Sequence, residues 1–209
     1  MMTNWKYHPP FKNAFTIGMI VLAITGLILL FTGSKENLFW PLNGQHTVAG
    51  DLLFKYGTYL GDGLVMILIG LIFIVMNKKK TGVLLILSFL LSGLFVQIIK
   101  RTKPEPRPGR YFTALHKADR IHRVDGHLLM GNNSFPSGHT TTAFALFSLL
   151  SFDNRRVRWQ ILFFFLALAV GYSRIYLGQH FFKDVLIGAL LGYATSLFLV
   201  WQFRNKEWL

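Results

Sequence analysis

The chain contains no cysteine. That absence excludes a disulfide scaffold and any thiolate metal site, and it removes redox usage as a guide to compartment. Acidic residues are also scarce: 9 Asp and Glu stand against 22 Lys and Arg, a formal net charge of +13 in 209 residues. A balance this basic suits three partners, namely nucleic acid, an anionic lipid surface or a phosphorylated substrate. Long polar stretches are few, and no repeat of fixed period is visible. Hydrophobic residues make up 52% of the chain, with 20 Phe, and the mean hydropathy is +0.41, above the range of soluble domains. The basic residues fall in loops between apolar runs, which argues against a nucleic-acid partner and for a membrane protein.

Uncharged apolar runs of about 18 residues or more point to membrane spans. Six are expected: 14–31, 56–76, 81–99, a short fourth over 140–152 that starts within or just before Ser137–His139, then 159–173 and 185–203. All six should be helices, because bare backbone polar groups are costly in lipid. The expected fold is therefore all-α: one domain over residues 1–209, a six-helix transmembrane bundle. The first run is long and lacks a small-residue cleavage pattern, so it reads as an uncleaved anchor. Trp5, Tyr7, Trp201 and Trp208 suit the membrane interface. The N-terminal tail, the Lys78–Lys80 turn, the Arg155–Arg158 turn and the C-terminal tail are short and basic. Six spans put all four on one side, and the positive-inside rule makes it cytoplasmic.

The remaining polar stretch, Lys100–His139, then lies outside despite carrying eight Lys or Arg against three acids. Charge on the wrong side is expected where it has another task, such as holding an anion. Span counting also brings Lys100, His139, Arg174, His180 and Asp184 to this same outer face. A phosphate needs fixed positive charge and several donors. Lys100 supplies a point charge, while Arg107 and Arg174 supply planar forks. Ser137 can donate its hydroxyl, and Gly138 lets backbone approach closely at a helix start, where anions are favoured. His180 and Asp184 are four apart, so a helix would put both on one face. A carboxylate bonded to one imidazole nitrogen leaves the other free to attack. His139 across the phosphate could protonate the leaving oxygen.

Lys100-x6-Arg107-Pro108, then Pro136-Ser137-Gly138-His139, then Ser173-Arg174-x5-His180-x3-Asp184 resemble the tripartite signature of the type 2 phosphatidic acid phosphatase and haloperoxidase superfamily. The membrane branch of lipid phosphatases fits best. Every defined position matches, in order, between residues 100 and 184. The resemblance implies a phosphohistidine on His180 oriented by Asp184, with His139 protonating the leaving group. It implies phosphate binding by Lys100, Arg107, Ser137, Gly138 and Arg174, with no metal and no cofactor. Implied substrates are lipid phosphates or diphosphates: undecaprenyl diphosphate, phosphatidic acid, phosphatidylglycerol phosphate or lipid A. A vanadium-haloperoxidase-like oxidase and a non-catalytic lipid-binding or transport protein on the same scaffold are the alternatives. Asp62, inside the second apolar run, is a further candidate by default. His116, His122 and His127 read as loop residues that could reach a headgroup.

Overall fold

The computed structural model describes residues 12–124 and 131–203, so the terminal tryptophans Trp5 and Trp208, and His127, lie outside the described residues. Nine α-helices and two short 3-10 turns make up the ordered elements, with no strand among the described residues. They are α1 (Ala14–Thr32), α2 (Lys35–Asn43), α3 (Val48–Gly57), α4 (Gly63–Val75), α5 (Lys79–Thr102), α6 (Pro108–Ala114), α7 (Gly138–Phe152), α8 (Val157–Tyr176) and α9 (Phe182–Phe203).

Helices α1, α5, α8 and α9 are each long and apolar enough to cross a membrane. A fifth crossing is formed if the segments Val48–Gly61 and Gly63–Val75, bent by 58° at their junction, count as one span. The second apolar run is thus not the single helix expected over 56–76. Thr58–Gly61 is a 3-10 turn, and Asp62 caps α4 by accepting a hydrogen bond from the Leu64 amide at 2.8 Å. The intramembrane carboxylate singled out in the sequence serves as a helix cap, the role short polar side chains fill best. Gly61 is fixed by close approach: a Cβ there would stand 2.5 Å from the His139 carbonyl and 2.7 Å from Val170.

Helix α7 has only 15 residues, too short to reach across a bilayer of about 30 Å by itself, and it is the axis of the bundle. Twelve of its residues are buried. Glycine lets α9 lie against it: a Cβ at Gly188 would meet the Ser137 carbonyl at 2.8 Å, and one at Gly192 would collide with the Thr141 carbonyl. Hydroxyls bond where backbones come close. Ser196 donates to the Ala145 carbonyl at 2.9 Å, and Ser88 of α5 meets Ser196 at 3.1 Å. Small and hydroxylated residues at helix contacts are the usual means of packing in lipid. The outer helices turn apolar side chains outward, among them Ile20, Ile24 and Ile28 of α1 and Leu64 and Leu68 of α4.

Two ends can be distinguished. At one, Asn13 caps α1 and also bonds Ser151 at the end of α7, while the Ala14 amide donates to Gln160 near the start of α8. At the other, Asn43 of α2 donates to the carbonyls of Ile175 and Tyr176 at the end of α8, and the Ser137 amide donates to the Asp184 carbonyl. The three sequence clusters all sit at this second end.

Candidate active site

Lys100 lies near the C-terminus of α5, Arg107 is the N-cap position of α6, and Ser137, Gly138 and His139 open α7. Arg174 occupies the last turn of α8. His180 sits in the turn between α8 and α9, and Asp184 in the first turn of α9. That turn has a local cause. Gly178 adopts a φ of 64°, the left-handed value that ends helices and that glycine reaches without strain. The amides of Gln179 and His180 then both fold back onto the Arg174 carbonyl, at 2.9 and 3.1 Å. The backbone that presents His180 is therefore anchored on the residue that presents Arg174.

Because His180 precedes α9, the pair does not share a helix face as the i,i+4 spacing suggested. Asp184 Oδ2 accepts the Phe181 amide at 2.9 Å, a helix-start cap, and accepts the Ser134 hydroxyl at 2.5 Å. His180 Nδ1 is 3.7 Å from the same oxygen and 3.5 Å from Ser134 Oγ. At 3.7 Å the imidazole and carboxylate are an electrostatic pair, beyond hydrogen-bond length, and the serine hydroxyl is the group that touches both. Nδ1 is thus turned to Ser134 and Asp184, which leaves Nε2 as the nitrogen not engaged by them. His180 is 2% exposed and Asp184 fully buried. Burial, reinforced by the Arg174 and Arg107 cations and opposed by Asp184, pushes the His180 imidazole down to about 3. The ring is neutral near pH 7, the form a nucleophile needs.

The cations are held from outside the three clusters. Arg107 donates through Nη1 to Gln179 Oε1 at 2.8 Å and through Nε to the Asn132 carbonyl at 2.9 Å. Arg174, 5% exposed, donates through Nη1 to Thr58 Oγ1 at 2.7 Å. Its Nε is buried with no hydrogen-bond partner among the described residues, as is Asp184 Oδ1. An unmet buried guanidinium donor is costly, about 1–3 kcal/mol or more, and a tetrahedral oxyanion is the ligand that would satisfy it. Lys100, Arg107 and Arg174 act electrostatically on one another, and together with Asp62 they act on His139. The three clusters therefore share one field. Ser137 has a structural task besides the expected one. Its Oγ accepts the Thr140 amide at 3.4 Å and pairs with Thr140 Oγ1 at 2.8 Å, so the hydroxyl serves as the N-cap of α7.

Four contributors escaped the sequence reading. Ser134 lies two residues before the second cluster, and Gln179 directly precedes His180. Thr58 lies in a run read as membrane-spanning, where nothing marks it. Glu105 sits in the unspecified gap of the first cluster. Its carboxylate binds Lys183 Nζ at 2.7 and 2.8 Å and lies 3.9 Å from Lys35, while its carbonyl accepts the Ser134 amide. Beside Lys100, Gly138 and His139 a cavity of about 360 Å³ opens between α4, α5 and α7, walled further by Phe89, Leu90 and Val96.

Comparison with known proteins agrees with this arrangement. The model of the PAP2 superfamily matches residues 81–208. Lipid A 4'-phosphatase of Porphyromonas gingivalis is 31% identical over 184 residues, covering 84% of this chain and 76% of that one. Undecaprenyl-diphosphatase BcrC of Bacillus subtilis is 34% identical over 116 residues, and bacitracin transport permease protein BcrC of Bacillus licheniformis is 32% identical over 118. These matches span only 54% and 52% of the two Bacillus proteins. The crystal structure of Aquifex aeolicus LpxE is similar at a TM-score of 0.68, with 30% identity over 78% of this chain and 92% of that one. A transmembrane PAP2 type phosphatidylglycerolphosphate phosphatase from Bacillus subtilis, 21% identical, shares the fold at a TM-score of 0.62, covering 94% of this chain and 98% of that one. With all three clusters at one end of an all-helical apolar bundle and the family match running through all of them, the chain belongs to the PAP2 superfamily.

Proposed function

We propose that this protein hydrolyses the phosphomonoester or diphosphate of a membrane lipid through a phosphohistidine. The observation that carries the reading is the buried Arg174 Nε, without a hydrogen-bond partner among the described residues, at the same end of the bundle as a His180 ring whose Nδ1 is turned to Ser134 and Asp184. It is an anion-binding donor at the same end as a nucleophile.

In the first step His180 Nε2 attacks phosphorus, and the bond from phosphorus to the leaving oxygen breaks. That oxygen takes its proton from His139. In the second step the water oxygen attacks phosphorus, the phosphorus–nitrogen bond breaks, His139 takes the water proton, and phosphate departs to leave a neutral His180. Lys100, Arg107, Arg174 and the amide of Gly138 stabilise the equatorial oxygens, the largest contribution in such chemistry. Ser137 caps the helix that presents this amide, and its hydroxyl proton remains available to a phosphate oxygen. Asp184 and Ser134 hold the His180 ring. No metal enters this set of reacting groups.

The whole chain acts as one membrane domain with six crossings, counting α7 and the broken α4 segment, and with both tails cytoplasmic. The site end, opposite to the Asn13 end, then faces the exterior or periplasm. The cavity between α4, α5 and α7 supports lateral entry, since it leads from an apolar wall to Lys100 and His139. Among lipids, lipid A and undecaprenyl diphosphate are the first candidates, from the relatives that match.

The test is phosphate release by purified protein in detergent with EDTA. Lipid A, undecaprenyl diphosphate, phosphatidic acid and phosphatidylglycerol phosphate are each presented beside a His180→Ala control. Release from one lipid, abolished in the control, is the expected result and names the substrate. Undiminished release by the folded His180→Ala protein would remove the assigned nucleophile.

A further inference from the structure

At the same end as the active site, but in a separate cavity, three metal-competent side chains from distant parts of the chain come together. His46 lies in the α2–α3 connection, Asp51 in the first turn of α3, and His122 in the polar block after α6. One ligand atom from each lies within 4.8 Å of the others. His122 Nε2 is 3.0 Å from both carboxylate oxygens of Asp51. The His46 and His122 rings stack with centroids 3.5 Å apart. The unexplained group is His46. Both of its ring nitrogens are buried and neither makes a hydrogen bond; the Asn43 backbone provides only a contact outside hydrogen-bond geometry. Burying an unmet imidazole donor costs about 1–3 kcal/mol, and nothing in the phosphatase reading uses it.

We propose that His46, Asp51 and His122 bind one divalent transition-metal ion of the zinc class. Two imidazoles and one carboxylate are a recurrent zinc donor set, leaving a fourth position for water. Tetrahedral bonds of about 2.0–2.2 Å put ligand atoms about 3.3–3.5 Å apart, so Asp51 and His122 are already spaced for it. A His46 nitrogen lies within 4.8 Å of both, and moving it closer breaks no hydrogen bond. The carboxylate is oriented from behind, as metal ligands commonly are: Tyr176 donates its hydroxyl to Asp51 Oδ1 at 2.6 Å. Access is available, because His46 and His122 line an open cavity of about 530 Å³ together with Asp119, Arg120 and Arg123. Two arginines on that wall disfavour a hard cation held by charge alone, and they leave a borderline-soft ion held by imidazole nitrogen as the fit. Bound there, the ion ties the polar block to α3. Through Tyr176 it also reaches the last turn of α8, which presents Arg174.

The experiment uses the full chain in detergent, stripped with chelator and titrated with zinc, with bound metal measured by elemental analysis. One ion per chain is expected. His46→Gln and Asp51→Asn should each weaken binding at least about 10-fold, while His116→Gln and His180→Gln should leave it unchanged. Zinc should raise the melting temperature of the wild-type chain and not that of His46→Gln. Absence of saturable binding by the wild-type chain would overturn the proposal, as would binding that survives both His46→Gln and Asp51→Asn. A cobalt titration of the wild-type chain needs no variant. With no cysteine present, visible d–d absorption saturating at one ion per chain and displaced by zinc supports the site, and absorption that never appears or never saturates removes it.

Discussion

Helices α1 and α7 show opposite relations between composition and burial. α1 has three Thr as its only polar residues, yet only 4 of its 19 residues are buried, and Ile17, Ile20, Val21, Ile24 and Ile28 all face outward. α7 carries six Ser, Thr or His among its 15 residues, yet 12 are buried. In water the more apolar helix would be the inner one. In lipid the outside is as apolar as the core, so hydropathy marks the surface, while small and hydroxylated residues mark the interior, where backbones touch. The chemistry hangs from the inner helix: Ser137, Gly138 and His139 are its first residues, and α9 with Asp184 lies along it.

The contrast can be tested from its strongest consequence downward. His180→Ala, held in the turn between the two helices that flank α7, should lower phosphate release at least about 10⁴-fold while gel filtration shows an unchanged fold. Gly192→Leu should cost about 3 kcal/mol or more, because the added side chain meets α7 backbone that cannot withdraw. Loss of monodisperse protein in detergent, or a sharply lower unfolding midpoint, is the readout, and normal stability would mean that α9 does not lie on α7 as described.

The third test concerns pH. His180 is lowered to about 3 in the folded protein, against about 6.5 for an exposed imidazole. A lowered histidine favours the folded state only while the unfolded chain is also neutral. Stability is therefore complete above about 6.5 and is lost as pH falls from there toward 3, by up to about 1.4 kcal/mol per unit. The melting temperature of the wild-type protein should fall more steeply between pH 6.5 and 4 than that of His180→Gln, and parallel curves would refute the shift. Ser134→Ala removes the hydroxyl that contacts both His180 and Asp184. It should reduce kcat about 10–100-fold with little change in KM; a change in KM alone would assign Ser134 to substrate binding. The smallest effect belongs to α1, where Ile24→Ala, on an outward face, should change stability by less than about 0.5 kcal/mol.

A second comparison sits at one end of the molecule. The candidate active site and the His46 cluster both join residues far apart in the chain, but only the first left a pattern in the sequence. Lys100, Arg107, His139, Arg174, His180 and Asp184 recur at fixed spacings, because each spacing reflects one local structure: a helix end, a helix start or a tight turn. Thr58, which orients Arg174 across 116 residues, and His46, which stacks on His122, have no such local partner. By sequence His122 is a loop residue, since nothing near it in the chain reveals Asp51.

The sequence by itself determined most of the apolar helices, the family and six charged or imidazole groups that the fold brings to one end. Hydropathy and spacing are local quantities, and those features are written locally. Only the tertiary structure decided that the second apolar run breaks at Gly61–Asp62, that Ser137 caps α7, that Ser134 stands between His180 and Asp184, and that α7 lies innermost. Each of these depends on which backbone another helix brings within hydrogen-bonding distance, and helix packing, unlike helix formation, has no signature in a single segment.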